Sequence, residues 1–334
     1  MLILAKTVLA VMLGFVISVI CGFIFIPILK KINFNQKINS FLNKNHMKKK
    51  GTPTIGGIIF IIPVILALLL LYFRGSITIS HNLIILVFVF LSYGFIGFLD
   101  DYLKIKRKNS ISGSEGLTSI QKLLLQVVIA VVFFFIYRYY GGTGDLTFSF
   151  FGLNIPMGWA YGLFILLVLV ATTNAVNITD GLDGLAGGLS LFAFVAFGLI
   201  AWNTSWLTGY QEIAIFCFLL IGSLGGFLLF NSHPAKVFMG DTGSLALGGA
   251  LATVAVLTRH EFSLILIGGV FVIETLSSLI QIIAIRKFHK KVFKKAPLHH
   301  HFEELGWVET DIVKLFWSAG FILAMLGIIY GVWL

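Results

Sequence analysis

The sequence predicts an all-α integral membrane protein of about ten transmembrane helices, and three observations carry that expectation. Of its 334 residues, 58% are hydrophobic and 11% charged, with a mean hydropathy of +0.99; soluble domains run near 25% charged. Apolar windows of about 20 residues, the length that crosses a bilayer, recur along the whole chain. The cationic residues cluster on alternate loops between those windows. A soluble globule cannot hide so much apolar surface. The 33 Phe and 35 Gly suit helices packed in lipid, where Gly lets backbones approach closely.

The windows lie near residues 3–29, 54–73, 82–100, 120–139, 158–176, 187–203, 212–230, 244–258, 263–285 and 314–333. The first is too long for a signal-peptide core and lacks a small-residue cleavage site, so it reads as a span. The eighth is short, which predicts a tilted helix or one shielded by its neighbours. Residues 140–157 read as a small hairpin around Gly141-Gly142 and Phe151-Gly152. Residues 1–334 read as a single polytopic catalytic domain. Cys21 and Cys217 both lie in apolar stretches and read as inert core residues.

Orientation follows from the charges. Loops after odd-numbered spans hold Lys30, Lys31, Lys37, Lys44, Lys48, Lys49, Lys50, Lys104, Lys106, Arg107, Lys108, Lys122, Lys236, Arg286, Lys287, Lys290, Lys291, Lys294, Lys295 and Lys314; the opposite side holds Lys6, Arg74, Arg138 and Arg259. That split, 20 of the 24 Lys and Arg on one side, places both termini outside and five loops in the cytoplasm. It also accounts for the net charge of +10 without nucleic acid as a partner. The polar motifs fall on the same cytoplasmic side. A transporter should hold its polar residues near the midplane, so an enzyme at the cytoplasmic interface is the better reading.

Five runs carry candidate chemistry. Asp100-Asp101 ends the third span; such a pair is either a solvated stop signal or a site for a hard cation such as Mg²⁺, which takes oxygen ligands. Residues 174–188, NAVNITDGLDGLAGG, set Asn177, Asp180 and Asp183 at a spacing of three, able to line one face of a helix end, among glycines that permit tight turns. Residues 231–244, NSHPAKVFMGDTGS, put Asp241 at a helix start, where free N–H groups and the dipole favour phosphate oxygens. Its carboxylate can meanwhile hold a bridging metal. Phe238 is either packing or a platform for a base.

The run Lys48-Lys49-Lys50-Gly51-Thr52-Pro53-Thr54 is largely explained by topology, but its rigid turn holds a cation at the membrane surface, which suits an anionic ligand. His299, His300 and His301 are adjacent and cannot all face one metal from a regular helix, so zinc is a poor fit; donation to phosphate suits them better. Glu274 lies inside the ninth span, with Gln281 two turns along the same face. An intramembrane acid is a functional hypothesis by default, yet a partner on another helix would account for Glu274 equally well.

Together KKKGTPTIGG, FIGFLDDYLK, NAVNITDGLDGLAGG, FNSHPAKVFMGDTGSLALGG and APLHHHFEELGW closely resemble, in order, the motifs of the phospho-N-acetylmuramoyl-pentapeptide transferase family. The first four resemble polyprenyl-phosphate sugar-1-phosphate transferases in general; the histidine run points to the muramoyl-pentapeptide branch. The resemblance implies transfer of phospho-N-acetylmuramoyl-pentapeptide from UDP-MurNAc-pentapeptide to undecaprenyl phosphate, with release of UMP and formation of lipid I. It also implies Mg²⁺ dependence, a homodimer and residence in the bacterial cell membrane.

Carried over by motif, Asp241 is the expected Mg²⁺ ligand. Lys49, Asn177, Gly181, Leu182, Asp183, Asn231, Phe238 and Gln281 match positions around the nucleoside, with Phe238 stacked on uracil, and Thr54 belongs with the substrate-binding set. Asp100, Asp101, Asp180, Lys122, His299, His300 and His301 match positions around the phosphates or otherwise needed for activity. The nearest rival keeps the reaction and changes the sugar to N-acetylglucosamine; a lipid or solute transporter is the rival of another class.

Overall fold

The computed structural model describes residues 2–32, 51–106, 116–148, 153–203 and 209–332. Among them, nine helices are long and apolar enough to cross a membrane, and a tenth apolar helix is shorter. In chain order they are α1 (Leu2–Lys31), α2 (Ile58–Phe73, the short one), α3 (His81–Lys106), α4 (Ser119–Tyr139), α5 (Tyr161–Thr179), α6 (Leu185–Asn203), α7 (Tyr210–Asn231) and α8 (Gly240–Leu257). There follow the short α9 (Glu261–Ile267), then α10 (Gly269–Phe288), the short α11 (Leu298–Glu304) and α12 (Glu309–Val332). The chain is an all-α, multi-pass membrane protein.

Two departures from the expected spans have local causes. The second span was expected from residue 54, but α2 begins at Ile58, because the chain turns at Ile55, in the left-handed region at φ +68°, and residues 53–57 form a strap against the chain before α8. There Phe238 N–H donates to Pro53 O (2.8 Å), Gly56 N–H to Phe238 O (2.9 Å) and Gly57 N–H to Met239 O (2.9 Å). A left-handed residue cannot lie inside a right-handed helix, so α2 starts only after it. The ninth span is broken at Gly268, between α9 and α10. The expected hairpin is present as β1 (Asp145–Phe148) paired antiparallel with β2 (Leu153–Pro156), Asp145 opposite Pro156.

Lipid supplies no hydrophobic force between helices, so close contact depends on small residues. At the α1–α7 seam a Cβ on Gly14 would lie 2.2 Å from Leu219 O, and one on Gly222 2.0 Å from Val11 O; only glycine lets these backbones touch. The eighth span, expected to be tilted or shielded by its neighbours, is shielded: 89% of its apolar window is buried. Its neighbours α3 and α5 pack directly on it. At the other extreme α1, α4 and α10 turn Phe23, Phe135, Leu124 and Ile282 outward, as helices facing acyl chains do.

Candidate active site

The most buried helix also begins at the densest charge cluster. Asp241 stands in the first turn of α8, entered through Gly240 in the left-handed region at φ +73°. A Cβ on Gly97 of α3 would lie 2.1 Å from Asp241 O, so the absence of a side chain there lets the end of α3 reach the start of α8. Three residues further on stand Asp100 and Asp101, buried at 0% and 3% exposure.

The two aspartates do different things. Asp101 caps α8: its Oδ1 accepts from Asp241 N–H (3.2 Å), and its Oδ2 from Thr242 N–H (3.0 Å) and the Thr242 hydroxyl (2.7 Å). A carboxylate on the free N–H groups of a helix start is favoured by hydrogen bonding and dipole together. Asp100 instead faces two ammonium groups, with Oδ2 2.6 Å from Lys104 Nζ and 2.9 Å from Lys122 Nζ. The same lysines reach Asp241 Oδ2 at 3.1 and 2.5 Å. Asp100 Oδ1 accepts from Leu117 N–H (2.6 Å), which holds the approach to α4. A capping box of Thr118 and Gln121 starts that helix and sets Lys122 one turn in.

Asn177, in the last turn of α5, donates to Asp241 Oδ1 (3.0 Å) and to Ser244 Oγ (2.8 Å). Helix α5 ends at Thr179 and α6 starts at Leu185, which corrects the expectation that Asn177, Asp180 and Asp183 share one helical face. Only Asn177 is helical; Asp180 caps α5 and Asp183 lies in the turn that follows. Asp183 Oδ2 lies 3.2 Å from His233 Nδ1 and accepts from Ala235 N–H (3.1 Å), while Asp183 N–H donates to Glu309 Oε1 (2.8 Å). Asn231 ties the same turn down, accepting from Gly184 N–H (3.1 Å) and donating to Val237 O (2.9 Å). Leu182 is buried in that turn at 4% exposure.

The remaining runs close on the same region. Thr54 is buried at 4% exposure, its hydroxyl beside Gly240, and Phe238, half-buried, is held by the strap. Gln281 donates to Phe293 O (3.0 Å) and accepts from Val292 N–H (3.1 Å) and Phe293 N–H (3.0 Å), pinning the chain ahead of the histidines. These have three separate surroundings. His299 is buried against Gly181, His300 Nδ1 lies 2.6 Å from Glu303 Oε2, and His301 Nδ1 accepts from Lys294 N–H (3.1 Å). Burial holds the His300 imidazole below its ordinary range. Lys49 lies outside the described residues.

All five sequence runs thus meet through direct contacts. What sequence reading missed is Lys104, His233 and Glu309. Lys104 was legible as a cation one helical turn from Asp100; His233 and Glu309 had no local signal, because Asp183 reaches them only through the fold.

The donor set suits a hard cation. Ligand oxygens of Asp100, Asp101 and Asp241 lie within 4.8 Å of one another, and three carboxylates against two lysines leave an excess of negative charge. With Asp101 committed to the helix start, Asp241 and Asp100 are the available ligands. Asp183, His233 and Glu309 form a second group of similar spacing.

The family model described as glycosyl transferase family 4 matches residues 83–259. The chain is 48% identical over 324 residues, 97% of either chain, to the phospho-N-acetylmuramoyl-pentapeptide-transferase of Bacillus subtilis (strain 168). It is 49% identical over 327 residues, 98% of either chain, to that of Geobacillus sp. (strain WCH70), and 47% identical over 326 residues to that of Halalkalibacterium halodurans.

Proposed function

The chain belongs to the phospho-N-acetylmuramoyl-pentapeptide-transferases, within glycosyl transferase family 4, and on that premise we propose the reaction and the part each residue takes in it. The protein transfers phospho-N-acetylmuramoyl-pentapeptide from UDP-MurNAc-pentapeptide to undecaprenyl phosphate and so makes lipid I. An oxygen of the lipid phosphate attacks the β-phosphorus of the donor, a P–O bond forms, and the bond to the bridging oxygen breaks. UMP leaves with that oxygen. One anhydride replaces another, so the reaction needs no ATP and runs readily in reverse.

Like charge is the main obstacle, because donor and acceptor are both anionic. The observation that carries the reading is the pair of lysines, Lys104 and Lys122, shared between Asp100 and Asp241. In this reading they turn from the carboxylates toward the phosphates and neutralise charge on the transferring group. A phosphate with second pKa near 6 is largely dianionic at pH 7, so the acceptor needs little help from a base. Asp100 orients it or takes its last proton, and Asp101 holds Asp241 in place. Mg²⁺, held by Asp241 with Asp100 nearby, supplies further charge neutralisation on the diphosphate when bound.

The nucleoside side is assigned to Lys49, Asn177, Gly181, Leu182, Asp183 and Phe238, with Phe238 under uracil. Thr54, Asn231 and Gln281 belong to the same subsite, Asn231 and Gln281 acting through the backbone they brace. Asp180, His299, His300 and His301 line the phosphate side. The positive-inside split supports a site at the cytoplasmic end of the bundle, both termini outside, in the bacterial cell membrane as a single catalytic domain, working as a homodimer.

UMP release by purified protein with undecaprenyl phosphate tests the reaction. Turnover is expected with UDP-MurNAc-pentapeptide and Mg²⁺, and not with EDTA in place of Mg²⁺. Turnover with UDP-N-acetylglucosamine alone would move the protein to the other sugar, and folded protein silent with both donors would overturn the reading.

A further inference from the structure

Glu274 has no part in the reaction as described, yet the fold encloses it completely. It sits on α10 at 0% exposure, and the only described polar partner of its carboxylate is His299, itself 1% exposed. Glu274 Oε1 accepts from the His299 backbone N–H at 3.1 Å, and Oε2 lies 2.9 Å from His299 Nδ1. Pro297, the residue before α11, provides no side-chain cap, so this carboxylate also serves the first turn of that helix. One acid thereby holds both the backbone and the ring of one histidine.

The consequence lies at the other ring nitrogen. His299 Nε2 is buried and has no hydrogen-bond partner among the described residues. It points at the turn after α5: a Cβ on Gly181 would lie 2.2 Å from it. A carboxylate accepts and does not donate, so whenever Glu274 is ionised Nδ1 carries a proton and Nε2 is the nitrogen left for a ligand. Neutral imidazole has one donor and one acceptor nitrogen, and the partner of one decides the role of the other.

We propose that Glu274 is a positioning residue that fixes His299 with Nδ1 protonated and Nε2 turned to the Gly181 turn, where a phosphate oxygen of the nucleotide donor is received. This rests on the proposed transferase reaction. An anionic oxygen at Nε2 favours a second proton there, taken from solvent, and the carboxylate on the far side of the ring stabilises the resulting imidazolium. Glu274 acts on the donor only through His299, so removing both residues costs no more than removing His299.

The test uses the full-length protein with ¹⁵N-histidine, the His299 resonances being assigned by their loss in His299→Asn. Ligand-free protein is expected to show Nδ1 protonated and Nε2 bare; adding UDP-MurNAc-pentapeptide with Mg²⁺ and no lipid acceptor should protonate Nε2. In Glu274→Gln the amide oxygen takes the backbone N–H, which can only donate, and the amide NH₂ faces Nδ1, so the Nδ1 proton is lost and kcat/KM for the donor falls roughly tenfold or more. KM for undecaprenyl phosphate stays unchanged, which a general loss of structure would not permit. The double variant should match His299→Asn within about twofold. A bare Nδ1 in the ligand-free wild type overturns the proposal, even if Glu274→Gln does not fold. Wild-type activity in that variant, or fully additive losses, overturn it equally. Donor binding that leaves Nε2 bare removes the ligand half of the proposal, whereas a donor that does not bind removes the transferase reading and leaves the Nδ1 result to decide the role of Glu274.

Discussion

Lys122 Nζ lies 2.5 Å from Asp241 Oδ2 and 2.9 Å from Asp100 Oδ2, so one ammonium joins the start of α8 to the end of α3. Lys104 makes the same bridge from within α3. The cluster is a set of shared cations, and in the proposed reaction each leaves one carboxylate for an incoming phosphate. Lys122→Met and Lys104→Met should each lower kcat by about 10²-fold, the usual effect of removing one charge-stabilising donor. Steady-state UMP release on folded variants measures it; near-native turnover in Lys104→Met would make that residue a purely structural counter-ion.

Asp241→Asn keeps the side-chain shape and one acceptor oxygen but removes the charge. Turnover at ordinary Mg²⁺ should fall by roughly 10²–10³-fold. Mn²⁺ binding, followed by electron paramagnetic resonance without substrates, should weaken in parallel. Retained metal affinity would move the ligand role to Asp100.

Asp101 differs from Asp100 in a way thermal stability can read. Asp101→Asn replaces one acceptor by a donor facing Thr242 N–H or Asp241 N–H. Leaving such a group unsatisfied in a buried place costs about 1–3 kcal/mol, so Tm should drop. Asp100→Asn faces lysines instead and should lose activity with a smaller change in Tm. Equal Tm losses would argue against separate roles.

Gly97→Ala places a Cβ 2.1 Å from Asp241 O, a backbone atom with no room to yield. Overpacking of this kind costs about 1–3 kcal/mol, and it displaces the residue on which the cluster centres. Activity should fall with stability, and a variant of native activity would show that the α3–α8 contact tolerates separation.

At the first residue of α9, burial pushes the Glu261 carboxyl up from its ordinary 4.5 to about 7, although Tyr161 donates a hydrogen bond to it. The folded protein therefore holds this proton more tightly than the unfolded chain. The associated stability is present below about pH 4.5 and is lost as pH rises through about 7. Glu261→Gln should flatten that fall and raise stability above pH 7 by about 2–3 kcal/mol at most. Tm of both proteins in detergent across pH 5 to 8 measures the difference; parallel curves would mean that another group sets the slope.

Much of the architecture was legible in one dimension. The ten apolar stretches, the hairpin, the shielded eighth span and the five polar runs follow from hydropathy, charge and glycine placement, which are local properties of the chain. The start of α2 was not, because residues 53–57 are held in a turning strap by pairing with Phe238 and Met239. Asp183 was expected on a helical face with Asn177 and Asp180, and a turn anchored by His233, Glu309 and Asn231 takes it elsewhere.

What the sequence by itself determined is the membrane class, the family and the residue types that do the chemistry, because burial in lipid and phosphate handling each demand a particular composition at a short range. Only the tertiary structure decided the division of labour. Asp100 and Asp101 are neighbours and identical in type, yet one meets lysines and the other the start of α8. The three consecutive histidines divide the same way, and only His299 meets a buried acid. Those differences arise from groups up to 141 positions apart that helix packing brings within hydrogen-bond reach, and hydrogen bonds fall away over a fraction of an ångström, so no local pattern in the chain records them.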